Sequence, residues 1–121
     1  MNTLKFRIWD DGPIFHTRRF WFSEKTGLQR FFTWVGQHPG TEKNIQQFTG
    51  VRDKNRKEIY EGDIVKCEWK QKGDFITAEI RFGSGGFYLY HYDFLCFCAK
   101  NETLEDGEVI GNIFQNPELI K

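Results

Sequence analysis

Apolar and polar residues alternate through much of the second half of the chain, and this alternation predicts β-strands. Two such runs occupy residues 64–69 and 76–82, and their apolar members fall at every second position: Val65, Cys67 and Trp69, then Ile76, Ala78, Ile80 and Phe82. A period of two places alternate side chains on one face of a strand. The two runs are therefore expected to pair through a polar hairpin loop at 70–74.

Further strands are predicted after this hairpin. Residues 87–92 place Phe87 and Leu89 on one face and three tyrosines on the other, and residues 108–114 form the last strand. Residues 94–99 either continue the strand 87–92 or form a strand of their own. An acidic turn is predicted at 101–107. Several short strands joined by small turns favour a small SH3-like β-barrel over residues 51–121.

Residues 1–50 are predicted to form a separate, strand-rich portion. Strands are expected at 4–9, 14–22 and 45–49, the last ending at Gly50, with a helical turn at 41–44. The run 28–35 is assigned to a strand because of its aromatic and β-branched residues, with a helix as the alternative. The predicted fold class is mainly β, of the α+β type.

The stretch 46–65 between the two portions contains two turns. Asp53 and Asn55 have short side chains that bond to nearby backbone and favour a turn. In the second turn, Gly62 between Glu61 and Asp63 supplies a positive φ without a Cβ clash.

The stretch F-T-G-V-x-D-K-N-x-K-E-I-Y-E-G-D-I-V resembles the YopX family, small proteins of phages and prophages in Firmicutes. The L-K-F-R-I-W-D at 4–10, G-G-F-Y at 85–88 and E-V-I-G-N-I-F-Q-N-P-E-L at 108–119 carry the same resemblance. It implies a fold and a phage context. The family brings no established activity, so the resemblance implies only structural roles for its motif residues: Gly50, Asp53, Tyr60, Glu61, Gly62 and Asp63.

Two features depart from the family pattern. Arg56 stands where the family usually has glycine, so the loop here need not form the family's tight turn. The segment 11–45 follows no pattern of the family.

Charge and composition restrict the function classes. Aromatic residues make up 17% of the chain, more than a small core requires, and the net charge is zero, which favours self-association. Residues 1–62 carry eleven Lys and Arg against seven Asp and Glu, whereas residues 63–121 carry six against ten. The N-terminus lacks an apolar signal region and no run is long enough to cross a membrane, so a cytoplasmic protein is expected.

No pattern predicts catalysis, a cofactor or a metal. Cys96 and Cys98, with Cys67 and His91, have metal-ligand chemistry but not the spacing of a structural zinc site, so buried thiols are the preferred interpretation. The histidines are scattered and no nucleophile motif accompanies them. We therefore expect a protein that is not an enzyme.

Aromatic and basic residues provide the candidate interaction surface. The expected function is contact with another protein, either a second copy or a host or phage protein. The alternative is a nucleic-acid-binding module, because aromatic platforms and basic grooves hold single strands. The residues of this surface are Arg18, Arg19, Trp21, Arg30, Tyr88, Tyr90 and Tyr92.

Overall fold

The chain divides into two compact units, Met1–Phe48 and Thr49–Lys121. A computed structural model describes residues 4–10, 19–69, 74–83, 86–91, 94–98 and 101–120. Within those residues, no helix has the length and apolar character needed to cross a membrane. The predicted mainly β fold class is confirmed by two antiparallel sheets, whereas the SH3-like barrel stays a prediction.

In the first unit, β1 is the central strand of three. Strand β1 pairs with β2 on one side and with the start of β3 on the other, both antiparallel. Between β2 and β3 the chain forms two α-helices and one 3₁₀ helix. The 3₁₀ helix confirms the helical turn predicted at 41–44. The elements are β1 (Phe6–Asp10), β2 (Arg19–Phe22), α1 (Ser23–Thr26), α2 (Leu28–Gln37), the 3₁₀ helix (Thr41–Asn44) and β3 (Ile45–Arg52).

Helix α2 replaces the strand predicted at 28–35, so that prediction was wrong and its helical alternative is confirmed. Phe31 and Val35 lie one turn apart and pack with Ile8 of β1 in the core of this unit. Leu28, Phe31, Phe32 and Val35 follow the helical spacing i, i+3, i+4, i+7, and of these Phe31 and Val35 are buried whereas Leu28 and Phe32 are exposed. The burial of one helical face therefore outweighed the local preference of aromatic residues for strands.

The second unit contains a five-stranded antiparallel sheet in the order β8-β7-β6-β5-β9. The end of β3 forms a hairpin with β4 before this sheet begins. The elements are β4 (Glu58–Tyr60), β5 (Asp63–Trp69), β6 (Asp74–Gly83), β7 (Gly86–His91), β8 (Phe94–Cys98), α3 (Asn101–Glu105), β9 (Glu108–Asn112) and a 3₁₀ helix (Pro117–Ile120).

The register of the sheet confirms the predicted pairing of the two alternating runs. Val65 lies opposite Ala78 and Cys67 opposite Ile76, and all four are buried. On the next strand, Leu89 lies opposite Ile80 on the same core face. The loop predicted at 70–74 falls largely outside the described residues.

Two local predictions are corrected. Residues Asn101–Glu105 form α3 rather than an acidic turn, because Leu104 anchors this segment in the core at 2% exposure. Strand β3 does not end at Gly50 but continues to Arg52. Gly50 has φ of 90°, which a residue without Cβ holds readily, and Thr49 Oγ1 donates to the carbonyl of Ile59 at 2.7 Å.

Candidate interaction surface

The face of the second sheet opposite its core cluster carries aromatic and charged side chains, and it is exposed at Phe75 but buried where Ile64 lies opposite Glu79. Tyr88 lies directly opposite Arg81, and Tyr90 opposite Glu79, so these four share a face. Phe75 belongs to the same face, two alternations along β6 from Glu79. We call this surface the tyrosine face and define it by Lys66, Phe75, Glu79, Arg81, Tyr88 and Tyr90.

Arg81 is held in place at the centre of the tyrosine face. Its Cζ lies 3.6 Å from the centroid of the Tyr90 ring, and its Nη2 donates to Glu79 Oε1 at 3.2 Å. Burial alone would lower the pKa of Arg81, but the hydrogen bond and charge of Glu79, with Tyr90 and Tyr88 nearby, raise it. The guanidinium therefore stays charged and oriented.

Phe75 extends the tyrosine face with exposed apolar surface. Its relative exposure is 60%, the highest among the large hydrophobic residues that the structure describes. Lys66 Nζ lies 5.3 Å from the centroid of its ring, within the range of a cation–π contact. The face thus combines apolar area and two cations with the carboxylates of Glu79 and of Glu68, which lies opposite Phe75.

The predicted surface residues fall into two groups in the structure. Tyr88 and Tyr90 lie together on the tyrosine face of the second unit, as their alternation indicated. In the first unit, the Cζ of Arg19 lies 4.4 Å from the ring centroid of Trp21. Arg30 is exposed on α2. Arg18 and Tyr92 lie outside the described residues.

Sequence reasoning omitted three members of the tyrosine face: Arg81, Phe75 and Lys66. The signal for Arg81 was present, because it alternates with Ile80 and Phe82, which were assigned to the core face. Pairing the outward side of 76–82 with the outward side of 87–92 would have placed Arg81 beside the tyrosines.

Asp53 organises the loop between β3 and β4. Its Oδ1 accepts N–H groups from Asn55 at 2.8 Å and Lys57 at 2.9 Å, while its Oδ2 accepts the N–H of Val109 at 2.9 Å. The N–H of Arg56 donates to the carbonyl of Asp53 at 2.9 Å. The loop is therefore a tight turn in spite of the missing glycine, and Arg56 adopts φ of 66° to permit it.

The second turn of the family motif joins β4 to β5. Asp63 is buried at 2% exposure, and its Oδ2 accepts the N–H of Tyr60 at 2.7 Å. Gly62 has φ of 85°, donates to the carbonyl of Ile80 at 2.7 Å and accepts the N–H of Ile113 at 2.9 Å. Glu61 is half-buried in the same turn. Through these hydrogen bonds, Gly62 and Asp63 hold the turn between β4 and β5 in place.

The cysteine and histidine positions do not converge on a reactive site within the described residues. Burial raises the pKa of the Cys67 thiol from its ordinary value of 9.0 to about 11, so the thiol stays protonated at neutral pH. In the described ranges, no three His, Cys, Asp or Glu side chains are grouped as metal ligands would be. For Cys96 and Cys98 the structure describes the backbone of β8 and not the side chains, so the predicted thiol cluster is not tested.

Comparison with known proteins identifies a family and a similar solved structure. Residues 5–121 match the family described as YopX protein. The crystal structure of protein EF1440 from Enterococcus faecalis is similar over 100% of both chains, with 24% sequence identity and a TM-score of 0.54. At that identity the likeness concerns the fold. Comparison with curated proteins gives no match.

Proposed function

Because the chain belongs to the YopX family, we propose that it is a non-catalytic phage or prophage protein that acts by protein contact in the cytoplasm of a bacterial host. The contact is made by the tyrosine face. The observation that carries this proposal is the guanidinium of Arg81, held 3.6 Å from the Tyr90 ring centroid on a partly exposed sheet face.

The composition of the tyrosine face is that of a binding hot spot. Arginine and aromatic residues are enriched in the cores of protein interfaces, and they supply much of the binding free energy there. Arg81 is already oriented by Tyr90 and Glu79 before any partner arrives. Less side-chain entropy is therefore lost on binding than for an arginine that moves freely.

The chemistry of the tyrosine face selects a partner surface that is acidic and partly apolar. Arg81 has five N–H donors, and the hydrogen bond to Glu79 uses one of its nitrogens, so donors remain for a partner carboxylate. Phe75 offers exposed apolar area beside the ammonium of Lys66. A partner that supplies carboxylates around an apolar centre complements both features.

Single-stranded nucleic acid is the second candidate, because Phe75, Tyr88 and Tyr90 could stack with bases beside Lys66 and Arg81. Two observations weigh against it. The Tyr90 ring already stacks with the guanidinium of Arg81. Residues 63–121 carry six Lys and Arg against ten Asp and Glu, which opposes a phosphate backbone.

The test compares a tyrosine-face variant with a matched aromatic control. The wild-type protein captures partners from a host lysate, and each captured protein is then purified and titrated calorimetrically. Tyr88→Ser combined with Tyr90→Ser is expected to weaken binding by about tenfold or more. Phe32→Ser, which removes an aromatic side chain that is 43% exposed on the other unit, is expected to leave the affinity unchanged.

Three results would overturn the proposal. The first is a captured partner that binds the tyrosine-face variant as tightly as it binds the wild type. The second is a wild-type protein that captures no more than that variant does. The third is a mobility shift of single-stranded DNA or RNA at low salt that the tyrosine substitutions abolish, which would establish the nucleic-acid module instead.

A further inference from the structure

The turn between β3 and β4 is a concentrated basic loop. Arg52, Lys54, Arg56 and Lys57 are all exposed within six residues of sequence. The acid among them, Asp53, is 5% exposed, and its carboxylate is bound by backbone N–H groups. The carboxylate is therefore directed inwards, while the cations project into solvent. We call Arg52, Lys54, Arg56 and Lys57 the basic loop.

An acidic turn lies directly beside the basic loop in the same unit. Glu105, Asp106 and Glu108 surround Gly107, whose carbonyl accepts the N–H of Lys54 at 3.0 Å. Lys54 Nζ lies 4.0 Å from Glu108 Oε1. We call Glu105, Asp106 and Glu108 the acidic turn. Two surface groups of opposite charge are thus fixed next to one another by backbone hydrogen bonds.

The two groups neutralise each other only in part. Arg52 Nη2 lies 3.8 Å from Oε2 of the half-buried Glu58, a separation too long for a strong ion pair. The Lys54–Glu108 pair is exposed on both sides and contributes little to stability. The side chains of Arg56 and Lys57 form no ion pair with any part of the chain that the structure describes, and the same is true of Glu105 and Asp106. Charge of both signs therefore remains for an external partner.

The basic loop and the acidic turn together are called the bipolar patch. We propose that the bipolar patch binds a second copy of the chain, with the basic loop of each copy against the acidic turn of the other. A patch with adjacent positive and negative halves is complementary to itself under a two-fold axis, which is the symmetry of most protein dimers. Ile110, which is 37% exposed and two residues beyond Glu108 on β9, adds apolar area. This contact goes beyond the function proposed above, because it uses a different surface.

The arrangement of charges favours a second copy over a polyanion. A nucleic acid that approached the basic loop would meet Glu105, Asp106 and Glu108 beside it and be repelled. A second copy presents both signs in the required order. Arg56 fits this role, since it occupies a φ of 66° that favours glycine while its side chain forms no described ion pair.

Charge exchange tests the proposal with two variants. Arg56→Glu with Lys57→Glu cancels the positive charge of the basic loop, in which Arg52 and Lys54 remain, and Glu105→Lys with Asp106→Lys reverses the acidic turn, in which Glu108 remains. The four side chains are exposed, so both variants are expected to fold, which circular dichroism checks. Mass is measured by light scattering coupled to gel filtration, at about 50 mM and about 500 mM NaCl, because salt screens exposed charges.

The wild type is expected to have twice the 14.4 kDa mass of one chain at low salt and to dissociate at high salt. Each variant alone is expected to be monomeric, and an equimolar mixture of the two is expected to form a heterodimer. A wild type that is monomeric at low salt, variants that keep the wild-type mass, or a mixture that stays monomeric would each overturn the proposal.

The tyrosine-face variant separates this proposal from the proposed function. Tyr88→Ser with Tyr90→Ser is expected to remain dimeric, because those residues lie outside the bipolar patch. If this variant is monomeric while both charge variants stay dimeric, the second copy binds the tyrosine face and the bipolar patch is not the interface.

Discussion

Asp53 is the residue that most directly holds the loop between β3 and β4, called the motif loop, in its conformation. Its carboxylate accepts N–H groups of Asn55, Lys57 and Val109 at distances between 2.8 and 2.9 Å. Hydrogen bonds to a charged acceptor are among the stronger ones, and a buried donor left without an acceptor is costly. Removal of this carboxylate therefore affects the loop and β9 together.

Asp53→Ala is expected to lower the free energy of unfolding by about 3 kcal/mol, because it leaves amide donors without their acceptor. Urea denaturation followed by fluorescence measures the change. Glu118→Ala is the control, since that side chain is exposed and lies outside both proposed contact surfaces, and it is expected to shift stability by less than about 0.5 kcal/mol. Equal stability of Asp53→Ala and wild type would contradict this role.

The sequence predicted part of what Asp53 does. A short acidic side chain two residues before an asparagine is typical of a turn, and the bond from Asn55 to Asp53 is such a local contact. The bond from Val109 spans 56 residues, and no local pattern encodes it. Arg56 shows the converse case, because long-range restraint of the loop imposes a φ of 66° that its residue type disfavours.

Among the elements, β9 and the turn that follows it are fitted closely to each other. A Cβ built on Gly111 would lie 2.6 Å from Oδ1 and 2.9 Å from Cβ of Asn116. Asn116 is held in place, since its N–H donates to the carbonyl of Asn112 at 2.8 Å and its Oδ1 accepts the N–H of Asn112 at 3.3 Å. The Asn116 side chain cannot move away from Gly111 without loss of its hydrogen bond to Asn112.

Gly111→Ala is therefore expected to destabilise the protein by about 2 kcal/mol, the usual cost of overpacking. Gly86→Ala is the matched control, because a Cβ at Gly86 in β7 has no neighbour within 4 Å. Thermal unfolding followed by circular dichroism compares the two variants. Equal melting temperatures for both would show that the turn after β9 adjusts freely.

The sequence predicted whether a segment is a helix or a strand where its apolar residues fit the spacing of only one of the two. The alternation in β5 and β6 predicted that the two strands pair with their apolar residues on one face, because only a period of two fits those residues, and their register confirms it. The run from Leu28 to Val35 fits a helix by spacing and a strand by residue type. Its outcome depended on packing of Phe31 and Val35 against Ile8, which no local pattern specifies.

At the scale of the whole molecule, the two units have cores of different size. Among the described residues, the core cluster of the second unit comprises nine buried residues, including Ile59, Ala78, Ile80 and Leu89. The core cluster of the first unit comprises three, Ile8, Phe31 and Val35, with partly buried, mostly aromatic residues packed around them. Local opening requires less free energy where fewer apolar groups are buried.

Hydrogen exchange is expected to reveal this difference. Amides of β6 in the second unit are expected to exchange about ten times more slowly, or slower still, than amides of β1 in the first unit. Mass spectrometry of peptic fragments measures both segments in one experiment. Equal protection of β1 and β6 would mean that the chain opens as a single cooperative unit.

The candidate surface shows the same limit of sequence reasoning on a larger scale. Tyr88 and Tyr90 were found because they alternate within one strand. Arg81 lies beside them because β6 pairs with β7. The hydrophobic pattern within either strand does not predict which residues of the two strands lie opposite each other. Arg19 and Trp21 meet because they are two residues apart on β2.

The bond from Val109 to Asp53 has a consequence for the behaviour of the chain in a crowded cell. Strands at the rim of a sheet can recruit foreign strands and so start fibril growth. Strand β9 lies at such a rim, but the amide of Val109 is bound by a carboxylate and the carbonyl of Gly107 by the amide of Lys54. A stray strand would have to displace both, so the motif loop protects this margin against aggregation.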